Sequence, residues 1–252
     1  MSSTALVADI VPASCVDGPG NRFVVFLQGC TFNCLACHNP QTIARAPRAG
    51  PADRRRVDDI VDEIAEVAPF LSGVTVSGGE ATCQWHAVHE LFQELARRPA
   101  TRRLTRLVDT NGDADPIVWD ALGPVMHGAM VDLKALDPTI HQFLTGRPND
   151  RVLASIRQLD ALHRLHEVRL LVIPSVNDSR DQMAATARWL GALTSQPDIA
   201  VQGFRSDGTR PAARAFRDAR QDDLEVVVSR LVDGGLPRER IRVAGVTTSQ
   251  HG

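Results

Sequence analysis

Arg22-Phe-Val-Val-Phe-Leu-Gln-Gly-Cys30-Thr-Phe-Asn-Cys34-Leu-Ala-Cys37-His38 runs from an apolar strand directly into three cysteines spaced C-x3-C-x2-C. The run Phe23 to Leu27 is apolar on both faces, as strands of a helix-covered parallel sheet are. A loop of ligand-type residues at the end of such a strand is where (β/α) barrels put their chemistry. Thiolates hold a [4Fe–4S] cluster in fours, one per iron. Three on one tight loop leave one iron without a protein ligand, and a small molecule can chelate it.

A second metal reading stays open on these residues. Cys30, Cys34, Cys37 and His38 could bind structural zinc as a Cys3His binding module, since thiolates and imidazole both suit that ion. Against it, structural zinc ligands usually form two pairs roughly a dozen or more residues apart. Here Cys37 and His38 are adjacent, which strains joint tetrahedral ligation. Cys15 and Cys83 lack comparable spacing and read as small buried residues.

Working outward, 252 residues at 43% apolar can bury one core of barrel size. The expectation is one domain over 1–252, with a core at about 15–205 and a helical extension at 206–252. A net charge of −2 argues against nucleic acid or an anionic membrane as bulk partner. No apolar run approaches a membrane span, no secretory leader pattern opens the chain, and five cysteines do not form a disulfide framework. A cytoplasmic, monomeric protein is expected.

Lys134 is the only lysine among 28 basic residues. An arginine preference across the chain makes this exception worth locating. It ends the strand Gly128-Ala-Met-Val-Asp-Leu-Lys134, and strand alternation puts Asp132 and Lys134 on one face. Strands are expected at Arg22–Gln28, Val74–Ser77, Arg106–Thr110, Ala129–Leu133, Val168–Ile173 and Ile199–Phe204. Helical periodicity falls at Val57–Val67, Trp85–Arg98, Pro116–Leu122, Val152–His163, Asp181–Leu193 and Asp222–Val232. Residues 44–56 read as a Pro/Arg/Ala-rich loop. Six strand–helix units predict an α/β fold, a partial (β/α)6 TIM-type barrel, with an open doubly wound sheet as the alternative.

Polar residues gather at consecutive strand ends. Ser77-Gly78-Gly79-Glu80 ends the second strand, Asp109-Thr110-Asn111-Gly112 the third and Asp132-Leu133-Lys134 the fourth, while Arg169 lies on the fifth. Gly78 and Gly79 allow close backbone approach to a ligand. Glu80 could anchor that turn or meet a ligand ammonium, Lys134 can neutralise a carboxylate, and Asp109 and Asp132 supply anionic oxygens.

Together, Val16-Asp17-Gly18-Pro19-Gly20, Gln28-Gly29-Cys30, Cys37-His38-Asn39, Val76-Ser77-Gly78-Gly79-Glu80-Ala81, Asp109-Thr110-Asn111-Gly112 and Asp132-Leu133-Lys134 resemble a known group. It is the activating enzymes of glycyl radical enzymes, oxidoreductases of the radical S-adenosylmethionine (SAM) superfamily. The resemblance is to the pyruvate formate-lyase activase-like members. His141-Gln142, Leu144-Thr145-Gly146-Arg147 and Arg169 to Pro174 look closest to the YjjW subgroup.

The resemblance implies a radical SAM-type barrel and residue roles. Cys30, Cys34 and Cys37 would hold the [4Fe–4S] cluster. Ala36, Cys37, His38, Gly78, Gly79, Glu80, Asp109, Asn111, Asp132 and Lys134 would contact SAM, with Lys134 also counted with the cysteines as catalytic. Asp109, Thr110, Met130 and Asp132 resemble a monovalent-cation site. Asp17, His38, Lys134 and Arg169 resemble positions that meet a partner's glycine-bearing loop. A flavodoxin or ferredoxin would supply the electron. Two departures stand out: Ala36 replaces a common aromatic, and Arg205 takes the approximate place of a SAM-contacting histidine. The segment 45–56 replaces a cysteine-rich insert, so auxiliary clusters are not expected. A radical SAM enzyme acting on a small molecule or peptide is the nearest alternative.

Overall fold

A computed structural model describes residues 3–45 and 53–244. Its strands are β1 (Thr4–Ser14), β2 (Arg22–Leu27), β3 (Asp53–Arg56), β4 (Gly73–Gly78), β5 (Thr105–Thr110), β6 (Gly128–Asp132), β7 (Leu165–Val172), β8 (Asp198–Gly203) and β9 (Ile241–Ala244). They form one sheet in the order β3-β1-β2-β4-β5-β6-β7-β8-β9. From β2 through β4 to β9 every pairing is parallel, while β1 runs antiparallel to both its neighbours. The two sheet edges, β3 and β9, do not pair, so the barrel is open. The expected α/β fold, a partial TIM-type barrel, is what the chain forms.

The helices are α1 (Val57–Val67), α2 (Trp85–Arg97), α3 (Pro116–Leu122), α4 (Pro138–Thr145), α5 (Asp150–Ala161), α6 (Arg180–Gly191) and α7 (Gln221–Asp233). In α1 the buried residues Val57, Ile60, Val61 and Ile64 follow helical spacing. They belong to the main core with Val74, Val76, Val108, Val131, Val168, Ile199 and Val201 from alternate strand positions. Each such side chain contributes about 1.5–3 kcal/mol on burial. The intervening positions point to the other face. There the sheet is polar: Thr75, Ser77, Asp109, Asp132, Glu167, Arg169 and Gln202. Period-2 alternation thus separates the core from the site.

Four elements differ from expectation. β1 pairs with β2 and β3 outside the expected 15–205 core. β3 is Asp-Arg-Arg-Arg, a string without strand propensity that pairs because β1 offers an open edge; its charges suit a sheet border. Residues 46–52 of the expected loop lie outside the described residues. α4 is too short for periodicity to reveal. Its Asp137 side chain accepts from the Thr139 and Ile140 amides, Pro138 opens it, and Gly146 at φ +77° closes it. The expected helical extension holds α7 but also β9, which borders β8 in register Ile199↔Ile241; residues 245–252 lie outside the described residues. Cys15 is exposed on the β1–β2 loop, not buried.

Candidate active site

The cysteine loop is held from three sides by backbone hydrogen bonds. Gly29 and Cys30 amides donate to the Thr42 and Ile43 carbonyls at 2.7 and 3.0 Å. Asn33 and Leu35 amides donate to Thr145 and Leu144 carbonyls, the C-terminal end of α4, at 3.0 and 2.9 Å. From β4, the Gly79 amide donates to the Leu27 carbonyl at 2.9 Å and the Glu80 amide to Gly29 at 2.8 Å. That last contact explains the glycine pair. A Cβ on Gly78 would sit 2.1 Å from the Leu27 carbonyl oxygen, and one on Gly79 would sit 2.4 Å from that of Gly29. The glycines let β4's exit press against the root of the cysteine loop, and they also border the cavity above it.

That cavity is about 350 Å³, within the range of small-ligand sites. Cys30, Cys34 and Cys37 all line it, each half-buried. Burial pushes the Cys30 thiol up to about 12, with the Phe32 amide opposing, and the Cys34 thiol up to about 11, with Lys134 opposing. Cys30 Sγ accepts from the Phe32 amide at 3.4 Å and Asn111 Nδ2 at 3.6 Å. Thiols, N–H donors to sulfur and an adjoining cavity fit a cluster that binds thiolates and leaves room for a chelate. The zinc alternative fits less well. Among the described residues, no three His, Cys, Asp or Glu side chains group closely enough to hold a single ion. His38 Nε2 instead donates to the Arg205 carbonyl at 3.0 Å. A cube with one iron per thiolate is wider than an ion, so its ligands need not converge.

The opposite wall carries charge. Lys134 Nζ donates to Asp132 Oδ2 at 2.7 Å, so the two side chains do share a face. Burial opposes the Lys134 charge, but the Asp132 carboxylate outweighs it and holds the ammonium above its usual range. Asp109 accepts from Arg169 Nη1 at 2.9 Å and Ser77 Oγ at 3.0 Å. Burial pushes this carboxyl up, Arg169 opposes, and Asp132 adds to the rise. Arg169 also bonds Glu167 Oε1 through Nε at 2.8 Å and Met130 Sδ through Nη2 at 3.1 Å. Burial counts against its charge, yet Asp109 and Asp132 hold the guanidinium above its usual range.

The cavity also collects Ala36, His38, Gly78, Gly79, Thr110, Asn111 and Arg169 of the expected set. Three expected residues lie outside its lining. Glu80 is 1% exposed and spent on the turn. Its carboxylate accepts from the Thr82 amide and hydroxyl at 2.9 and 2.7 Å, and from Thr110 Oγ1 and the Asn111 amide, both at 2.7 Å. Of its two sequence readings, the geometry selects the anchor. Met130 is buried against Arg169. Asp17 sits on the β1–β2 loop, where its carbonyl accepts from Thr75 Oγ1 at 2.7 Å, one interior position below Ser77.

Gln202 and Gly203 line the cavity outside any motif, and Ser77 lines it as the first residue of the Ser77–Glu80 strand end. Gln202 is an isolated polar residue whose only signal is its interior strand parity. Ala36 packs with Leu144, Ile173 and Phe204, so apolar bulk that an aromatic would bring at 36 comes from β8's exit.

Comparison with known proteins agrees with this geometry. Residues 24–190 match the radical SAM superfamily. A pyruvate formate-lyase-activating enzyme of Staphylococcus aureus is 31% identical over 223 residues, covering 84% of this chain and 88% of that protein. A domain of a pyruvate-formate lyase-activating enzyme from Bacteroides vulgatus superposes with TM-score 0.57 at 23% identity, covering 69% of this chain and 99% of that one. A radical SAM methyltransferase from Sphaerobacter thermophilus gives TM-score 0.69 at 17% identity, covering 89% and 66%. The chain belongs to the radical SAM superfamily and, within it, to the family of the pyruvate formate-lyase-activating enzymes.

Proposed function

We propose that this enzyme installs the radical of a partner glycyl radical enzyme. Cys30, Cys34 and Cys37 would hold a [4Fe–4S] cluster, with SAM in the adjoining cavity. When bound, the reduced cluster would supply one electron to the sulfonium of SAM, the chemistry that yields methionine and a 5′-deoxyadenosyl radical able to take hydrogen from a backbone glycine. The observation that carries this reading is one cavity shared by the three cysteines, the β4 glycines and the charged ends of β5, β6 and β7.

The chain's own residues orient and shield. The Lys134 ammonium, at the cavity wall beside Asp132, neutralises a carboxylate on the ligand. Ser77 and Gln202 offer neutral hydrogen bonds on the same wall. The apolar group of Ala36, Leu144, Ile173 and Phe204 excludes water from one side of the site. His38 stands at the cavity wall and would meet an entering loop, with Asp17 on the β1–β2 loop as a second contact outside the cavity. Arg169 borders that path while bonded to Asp109 and Glu167. Kinship with an activase over most of the chain favours a protein substrate. An external flavodoxin or ferredoxin would deliver the electron to a monomeric enzyme.

The test is anaerobic. The reconstituted, reduced protein is mixed with SAM and a glycyl radical enzyme, and electron paramagnetic resonance is recorded. A glycyl doublet supports the proposal. Its absence, with vigorous 5′-deoxyadenosine release on a metabolite or peptide, would assign the cavity to a small substrate instead.

A further inference from the structure

We propose that Arg169 is a resident counter-cation, so that this chain needs no monovalent ion between Asp109 and Asp132. The resemblance assigns such an ion to Asp109, Thr110, Met130 and Asp132. In the structure, each of those side chains has another partner. Asp109 Oδ1 takes Arg169 Nη1 at 2.9 Å, and its Oδ2 takes the Ser77 hydroxyl at 3.0 Å. Asp132 Oδ2 takes Lys134 Nζ at 2.7 Å. Thr110 Oγ1 donates to Glu80 at 2.7 Å. Met130 Sδ faces Arg169 Nη2 at 3.1 Å.

Register places the guanidinium there. Asp132 and Arg169 are directly paired across β6 and β7, as are Met130 and Glu167 one step below. Glu167 then fixes Arg169 from behind through Nε at 2.8 Å, leaving the fork aimed at Asp109. Glu167 is itself neutralised by Arg242 of β9, whose Nε lies 2.8 Å from Oε2. Salt bridges join Asp109 and Glu167 to Arg169 and Arg242, and a separate one joins Asp132 to Lys134, so each of the two aspartates already faces a cation. Arg169's side chain is only 10% exposed. A further cation between Asp109 and Asp132 would sit beside Arg169 and Lys134 in a poorly solvated place, at an electrostatic cost.

The experiment uses the cluster-loaded protein in chelator-treated buffer, with potassium or sodium exchanged for tetramethylammonium at constant ionic strength. Thermal unfolding and SAM affinity are the readouts. For the wild type, exchange should change SAM affinity less than about twofold and shift Tm by less than about 1 °C. A potassium- or sodium-specific gain of about fivefold in affinity, or a Tm rise of about 2 °C or more, overturns the proposal. Arg169→Ala should acquire that dependence, while Arg169→Lys, which keeps a cation, should not. An Arg169→Ala protein that folds yet ignores potassium also overturns it. If Arg169→Ala fails to fold, Arg169→Gln takes its place, and the wild-type comparison stands without any variant. The affinity readout rests on the SAM reading above. The unfolding readout does not, so the two proposals fail separately.

Discussion

Two carboxylates at neighbouring strand ends, Glu80 buried behind the cavity and Asp109 half-buried in its wall, stand on opposite terms. Glu80, after β4, is satisfied by four neutral donors: two from Thr82, one each from Thr110 and Asn111. Asp109, on β5, is met by a guanidinium backed by a second carboxylate and a second arginine. The first arrangement ties two backbone segments together, the β4 exit and the β5 end, and presents no charge to the cavity. The second sets charge along the β5–β7 wall. The cysteine side of the site is therefore architecture, and the far side is electrostatics. Removing residues from the two should give different kinds of failure.

The sharpest break is at the cysteines. Cys30→Ala, Cys34→Ala and Cys37→Ala should each abolish the broad iron–sulfur absorption and SAM cleavage, since a cube deprived of another thiolate loses its anchor. Cys15→Ala and Cys83→Ala should keep both. Cys83 lies in a different cavity, beside Thr31 and Arg45, and Cys15 is exposed. Full cluster content in any of the first three, measured by iron, sulfide and absorption, would discard the ligand set.

Much of this division is legible in the residues alone. The cysteine spacing, the strand-end motifs and the parity of Asp132 and Lys134 are all local pattern. What local pattern does not carry is pairing between distant segments. β3 is a strand only because β1 lies beside it. Glu80's role depends on Thr110 and Asn111 arriving from the next strand end. Arg169 reads as a position that meets a partner's loop until Glu167, two residues earlier, and Arg242, far along the chain, close around it. Gln202 has the right parity but no motif of its own. Local chemistry marks where a site is; long-range register decides which of its charges remain available.

Glu80 tests the architectural side. Glu80→Ala leaves buried donors of Thr82, Thr110 and Asn111 without an acceptor, and each such loss costs about 1–3 kcal/mol. With partial rescue by water, a total of about 3–5 kcal/mol is expected, lowering Tm by roughly 10 °C at this chain length. Glu80→Gln keeps most acceptor capacity and should lose far less. The two also separate by pH. Burial, the largest influence, raises the Glu80 pKa above its ordinary 4.5 despite the four opposing hydrogen bonds. As pH falls, the native state therefore binds its proton before the unfolded chain does. This group's contribution to stability is full below pH 4.5 and is lost as pH rises through the raised native value. Urea unfolding across that interval should show a downward slope in the wild type that Glu80→Gln reduces. An unchanged slope would mean that the carboxylate's hydrogen bonds, not its burial, govern it.

Lys134 tests the electrostatic side, with a smaller effect of a different kind. It is paired to Asp132, so part of its charge is already spent. What remains is a compact ammonium at the cavity wall beside the Cys34 thiol. A charge-assisted bond to a ligand carboxylate contributes about 1.5–3 kcal/mol, so Lys134→Ala should weaken SAM binding by roughly tenfold or more. Cluster content should stay intact, because no thiolate is touched. Lys134→Arg should also be impaired, through crowding by the broader guanidinium, even though arginine serves every other basic position in the chain. If Lys134 served only to neutralise Asp132, Lys134→Ala would lower stability and leave SAM affinity unchanged. Calorimetric SAM affinity and Tm on both variants separate these outcomes. Wild-type affinity in Lys134→Ala would move the ligand's carboxylate away from this wall and leave the β5–β7 charges a structural network alone.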